Sequence, residues 1–118
     1  MPKKEKPLTL KQISADTRRR VFFEALRLNG IESPEFEYKF HSERKWRFDY
    51  CWPSKMIALE VEGGVFSNGR HTRGTGFMND IDKYNNAALL GWRLIRTTPS
   101  YLTSQLNIEL IKEILKER

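Results

Sequence analysis

Cysteine occurs once in this chain, at position 51, and histidine twice, at positions 41 and 71. A single cysteine excludes an intramolecular disulfide and any Cys-cluster metal site, and two histidines leave little for a His-rich zinc centre. No apolar run approaches the ~18–20 residues that cross a bilayer. The opening MPKKEKPLTL is charged and lacks the apolar stretch of a signal peptide. Together these absences point to a reducing, cytoplasmic setting and to no membrane partner. Aromatics, by contrast, are plentiful. Three Trp, seven Phe and four Tyr can build a core and exclude wholesale disorder. At 118 residues the chain has room for one domain. Acids are outnumbered, with 15 Asp and Glu against 21 Lys and Arg, a net charge of +6. A small basic domain leans toward a polyanionic partner, most often nucleic acid. Charge alone does not separate that reading from any other basic protein.

Residues 1–13 are Lys-rich and hold Pro2 and Pro7, which suggests a basic N-terminal arm ahead of a single domain over 14–118. Ser14 can cap a helix running to about Asn29, with Val21, Phe22, Ala25 and Leu26 on one stripe and Gly30 as the stop. Arg18, Arg19, Arg20 and Arg27 cover much of the rest, either as a solvated face or as a phosphate-contacting one. Three strand-like segments follow. In 36–40 aromatics alternate with charges. In 46–52 Trp46, Phe48, Tyr50 and Trp52 share one face, with Arg47, Asp49 and Cys51 on the other. After a turn at Pro53, residues 56–62 are apolar on both faces until their end. Residues 63–76 are Gly-rich and basic, but no GK[ST] follows, so this is no phosphate-binding P-loop. A helix over 77–90 with Phe77, Ile81, Tyr84 and Ala88 inward comes next. A strand over 92–97 and a helix over 103–116 carrying Leu106, Leu110, Ile111, Ile114 and Leu115 end the chain. The predicted class is α/β, a central mixed sheet flanked by helices in the order α-β-β-β-α-β-α.

The informative feature is where the acids fall. A strand apolar on both faces is usually central in a covered sheet. Glu60 and Glu62 nevertheless project from its end, on the side begun by Met56 and Ala58. Asp49 belongs to the preceding strand, and the short turn makes the two strands an antiparallel hairpin. One step of register decides whether Asp49 faces Glu60, at a Cβ separation of ~4.5–5.5 Å. The sequence leaves that step open. Carboxylates converging at a covered sheet end repel and lose hydration, so they require a cation or a retained proton. A hard divalent ion held by oxygen ligands is the natural answer, Mg²⁺ first and Mn²⁺ as a substitute. Such an ion also activates water and neutralises charge on a phosphodiester. An ordinary hairpin whose acids pair with Arg and Lys is the competing reading.

At these residues the sequence resembles the PD-(D/E)XK, or restriction-endonuclease-like, nuclease superfamily. Within it the likeness is to the small phage and bacterial endonucleases related to the very-short-patch-repair enzymes. The segments that carry it are WRFDYCWP, IALEVEGGVFSNGRHTRGTGF and NDIDKYNNAALLGWRLIR, and the likeness runs from about Arg19 to Thr98. The resemblance implies a restriction-endonuclease-like core and Mg²⁺-dependent hydrolysis of DNA, on branched or otherwise structured substrates in a bacterial or phage-infected cell. It assigns Asp49 and Glu60 as metal-binding acids, with the carbonyl of Val61 beside them. Glu62 stands where the superfamily's lysine is expected. Lys83, in the helix after the Gly-rich loop, looks like that lysine displaced, there to orient the attacking water. Glu24 resembles an extra acid found in the first helix of some members.

Around this core, His71 is a candidate general acid or base or a loop residue bonded to water. Arg70 and Arg73 flank it as candidate phosphate contacts, since Arg binds phosphate bidentately. Arg47 and Arg19 complete the candidate DNA contacts. Cys51 reads as a small buried residue rather than a nucleophile. Trp46, Trp52 and Trp92 read as core. Two rival functions remain: a DNA-binding module of the same fold without catalysis, and a basic protein–protein adaptor. A homodimer is compatible with the reading, but no interface is legible.

Overall fold

Two helices of this protein end in the same way. At the end of the first, Gly30 takes a left-handed φ of +72°, the amide of Ile31 donates to the carbonyl of Leu26 at 2.9 Å, and that of Gly30 to Arg27 at 3.1 Å. At the end of the second, Gly91 takes φ +98°, Trp92 donates to Ala87 at 2.9 Å and Gly91 to Ala88 at 3.0 Å. Both are Schellman caps, in which the residue after the glycine packs back onto the helix. Ile31 joins Leu26 in one core cluster and Trp92 joins Ala87 in another. Among the described residues nothing lies within 4 Å of the Gly30 Cβ position, so backbone conformation is what opposes a side chain there. Gly30→Ala is expected to cost about 1 kcal/mol. It should lower the urea midpoint with the slope unchanged. A midpoint equal to that of the parent would remove the capping argument.

The computed structural model describes residues 10–63 and 75–117. The elements are α1 (Leu10–Leu28), β1 (Glu35–Lys39), β2 (Arg47–Trp52), β3 (Ile57–Val61), α2 (Thr75–Leu89), β4 (Arg93–Thr97) and α3 (Gln105–Lys116). This is the order the periodicity predicts. A short 3-10 turn, Pro53–Lys55, joins β2 to β3. Helix α1 starts at Leu10, ahead of the expected cap at Ser14, so the end of the expected basic arm is helical; residues 1–9 lie outside the described residues.

The four strands form one mixed sheet in the order β1-β2-β3-β4, antiparallel except for the parallel pair β3–β4. Helices α1 and α3 cover one face. There Phe22 and Leu26 of α1 and Ile108 and Ile111 of α3 pack on Tyr50, Trp52, Ile57 and Leu59. Helix α2 covers the other face, where Ala87 packs on Phe48, Cys51 and Ala58. Being covered on both sides explains why β3 is apolar on both faces.

Several side chains depart from the sequence expectation. Val21 is 51% exposed, because α1 presents Phe22 and Leu26 as its inward edge. Among the described side chains of α2 the buried one is Ala87, and Ile81 and Ala88 are exposed; the side chain of Phe77 lies outside the described residues. The inward side of that helix is turned to bring Lys83 and Tyr84 against Glu60. On α3, Ile108 and Ile111 are buried while Leu106 and Leu110 are exposed. Ser104 caps α3 by accepting the amide of Asn107 at 3.2 Å. The four aromatics expected on one face of β2 are split. Tyr50 and Trp52 lie on the α1 side, whereas Phe48 lies on the α2 side and stacks on Phe40 at a centroid distance of 4.0 Å.

Candidate active site

The split in β2 has a local cause. The β2–β3 hairpin pairs Trp52 with Ile57, Cys51 with Ala58 and Tyr50 with Leu59. The next step in this register sets Asp49 opposite Glu60, and there the regular ladder stops. The amide of Asp49 donates to Oε2 of Glu60 at 2.9 Å, and the amide of Val61 donates to Oδ2 of Asp49 at 2.7 Å. Each carboxylate thus takes the place of a backbone carbonyl on the facing strand. The strand turns over at that point, so Phe48 and Tyr50 face opposite sides of the sheet although they are two apart. Strand β1 does the same beside it. Glu37 lies between Phe36, which packs on Phe23, and Tyr38, which packs on Trp92. Its φ of +52° is uncommon for a residue other than glycine. A single line of disrupted pairing therefore crosses β1 and β2 at Glu37 and Asp49 and ends on Glu60.

Electrostatics at this line follow from burial and from like charge. Glu60 is only 5% exposed. Burial first, and the charge of Glu60 second, push the Asp49 carboxyl up to about 6. The Val61 amide and the charge of Lys83 oppose that rise. Lys83 of α2 reaches across the sheet face, with Nζ 2.7 Å from Oε1 of Glu60 in a pair nearly closed to solvent. The hydroxyl of Tyr84 donates to the same oxygen at 3.3 Å. Burial and the charges of Glu60 and Glu62 raise the Tyr84 phenol, so it stays a donor. Lys83 and Tyr84 are neighbours in sequence and diverge around the helix, so it is the length of both side chains that lets them meet one acid.

Asp49 also opens into a cavity of about 210 Å³ on the α1 side, walled by Arg18, Arg19, Tyr50, Val61 and Pro99. Arg19 Nη1 is 3.2 Å from Asp16, and its guanidinium lies 4.1 Å over the ring of Phe36. Among the described residues its buried Nε has no hydrogen-bond partner. An arginine with a donor left over beside a carboxylate-lined cavity is suited to an anionic ligand with several oxygens.

No family model, curated protein or solved structure matches this chain.

The residues singled out in the sequence therefore divide by geometry alone. Asp49, Glu60 and Lys83 come together, with Val61 between the acids and Arg19 on the cavity wall. Glu62 does not join them: it turns to Arg96, whose Nε is 2.9 Å away and whose guanidinium stacks 4.5 Å from the Tyr84 ring. Glu24 lies exposed on α1 and pairs with Arg27. Arg47 is exposed on β2, 3.7 Å from Glu37. Arg70, His71 and Arg73 lie outside the described residues. Arg18 stood in the sequence only as part of a basic helix face, either solvated or phosphate-contacting, and Tyr84 only as an inward residue of its helix. The placement of Ala15, Arg18 and Arg19 at helical spacing was the available sign that both arginines share a face.

Among the described residues no three acidic, histidine or cysteine side chains gather to hold an ion. The donor set is the pair Asp49 and Glu60. That pair suffices for Mg²⁺, which is usually held by one or two carboxylates and keeps several waters. Partial burial first and the charge of Glu60 second raise the Asp49 carboxyl, and a divalent cation at the pair favours its ionised form. The carbonyl of Val61 accepts the Gly63 amide at 3.0 Å and retains a second lone pair. The residues present fit the ion.

Proposed function

We propose that this protein is a divalent-cation-dependent deoxyribonuclease that hydrolyses phosphodiester bonds, on branched or otherwise structured DNA. The observation that carries the reading is the reciprocal lock of Asp49 and Glu60 across the β2–β3 hairpin, with Lys83 on one side and an arginine-lined cavity on the other. When bound, Mg²⁺ or Mn²⁺ supplies positive charge at the phosphate oxygens and makes a water more acidic. The chain's own residues do the rest. Arg18 and Arg19 hold a phosphate over Asp49. Asp49 and Glu60 would hold the ion through the lone pairs left beside their hydrogen bonds, while the backbone bonds of Asp49 and Val61 fix both carboxylates against rotation. Lys83 is held by Glu60 at the edge of the pair, where its ammonium would orient the attacking water. The net charge of +6 draws the DNA backbone toward the acidic centre.

The test is a panel of labelled linear, nicked, flapped and four-way DNA substrates incubated with Mg²⁺, Mn²⁺ or chelator. Cleavage with either ion, abolished by chelator, is the expected result. Binding without cleavage on every substrate would favour a DNA-binding module of the same fold. Absence of salt-dependent DNA affinity would reject both, because each neutralised phosphate steepens the fall of affinity with salt.

A further inference from the structure

Strand β4 ends one side of the sheet, and among the described residues no strand pairs with its outer edge. Its inner side is engaged with β3: the amide of Arg93 donates to Met56, and the carbonyl of Thr97 accepts from Glu62. Residues 93, 95 and 97 therefore turn their backbone groups toward β3. Alternation leaves the amides and carbonyls of Leu94 and Arg96 pointing outward. The opposite edge, β1, is defended by charges at Glu35, Glu37 and Lys39 and by the left-handed kink at Glu37. Kinks and charges of this kind blunt an edge against pairing. β4 has no such kink, and its arginines are held within the chain. Arg93 pairs with Glu117 at 3.3 Å and Arg96 with Glu62 at 2.9 Å. Beside this open edge, Tyr101, Leu106 and Leu110 are 61%, 80% and 47% exposed and share a groove of about 510 Å³ with Arg96 and Thr98.

We propose that β4 pairs antiparallel with β4 of a second copy of this chain, about a two-fold axis at Ile95. This register sets Leu94 opposite Arg96 of the partner subunit and Arg93 opposite Thr97 of the partner subunit. Every outward amide and carbonyl of the two strands then finds a partner, and no like charges face one another. Self-complementarity of this kind is what a two-fold interface requires. The ion pairs to Glu62 and Glu117 let two chains of positive net charge meet along an edge that holds arginines. The same approach brings Leu106 and Leu110 of each α3 toward the partner and covers the apolar groove. A nucleic acid offers no strand ladder to Leu94 and Arg96, and an unrelated peptide would gain nothing from the two-fold match.

The experiment is sedimentation equilibrium of the full chain over a range of concentration, with two variants. The parent is expected to show twice its monomer mass. The variant carrying Leu106→Glu and Leu110→Glu changes only exposed positions, and its dimer dissociation constant should rise by at least ~100-fold. In Ile95→Cys the two introduced thiols lie at the axis, and mild oxidation should give a covalent dimer. The native Cys51 is buried, with its thiol pushed up to about 12, and stays out of the reaction. A parent that is monomeric at millimolar concentration, a dimer that survives both glutamates, or Ile95→Cys chains that fail to crosslink each overturns the proposal. Because the crosslink reads the strand pairing directly, loss of folding in the glutamate variant would leave the decision to Ile95→Cys. Loss of nuclease activity is not among the readouts, so the dimer stands or falls apart from the catalytic reading.

Discussion

Replacing Asp49 with Asn is expected to yield a protein that no longer cleaves DNA and yet unfolds at a higher temperature. The two effects share a cause. Asp49 is held partly buried beside Glu60, which pushes its carboxyl from 3.8 up to about 6. In the folded chain the proton is thus bound more tightly than in the unfolded chain. The sign follows by linkage: the stability from this proton is fully present below the unfolded value near 3.8 and is lost as pH rises through about 6. Above pH 7 the ionised carboxylate works against folding by about 2 kcal/mol, allowing for its partial contact with solvent. Asparagine keeps an oxygen for the Val61 amide and removes the charge. In chelator at pH 8 the variant should melt roughly 5–10 °C above the parent, and the gap should close by pH 4. Added Mg²⁺ should raise the melting temperature of the parent and leave the variant where it is. Cleavage should fall by at least ~100-fold with salt-dependent DNA binding retained. Melting curves at the two pH values together with a cleavage assay check all of this. A variant that cuts DNA at the parent rate would falsify the assignment of Asp49, whatever its stability.

Removal of Lys83 should act in the opposite direction on stability. Its ammonium is 2.7 Å from Glu60, with side-chain exposures of 14% and 7% for the two partners. Taking away one member of a buried pair leaves the other charge without compensation, at a cost of about 3–5 kcal/mol. Lys83→Met keeps an unbranched apolar stem and loses the charge. Its urea midpoint should therefore drop sharply. Adding Glu60→Gln to that variant removes the stranded charge, keeps one oxygen to accept the Asp49 amide while its amide nitrogen can donate to the Tyr84 hydroxyl, and should restore most of the loss. The thermodynamic cycle of the two single variants and the double variant measures the coupling directly. Neither Lys83→Met nor the double variant should cleave DNA, because the restored chain still lacks the ammonium and one acid. That outcome separates the stabilising role of the pair from its chemical one. A neutral Lys83→Met would mean that Glu60 is adequately solvated without it.

Much of the architecture was legible in the chain itself. Helices and strands follow from periodicities of a few residues, and stops at Gly30 and Gly91 follow from a conformation that glycine adopts without strain. The apolar run at 57–59 on both faces already required a strand covered from two sides. The nearness of Asp49 to Glu60 was legible only as one of two registers, because a hairpin slipped by one residue satisfies local propensity equally well. The sequence pattern even pointed the wrong way in β2. Strict alternation puts Trp46, Phe48, Tyr50 and Trp52 together, whereas the carboxylate lock at Asp49 divides them between two cores.

The order of elements, their ends, the basic balance and the candidate acids could thus be read along the chain, since each depends on near neighbours. Which acids meet is a matter of long-range packing. It brought Lys83 to Glu60 across 23 residues of chain, drew Glu62 away to Arg96 across 34, and set Arg19 on the wall of the cavity that Asp49 enters. Glu60 and Glu62 are alike in residue type and strand side, and no local rule tells them apart. The difference lies in depth: Glu60 is buried beneath α2, where it must be paired, and Glu62 lies at the rim beside a free-reaching guanidinium.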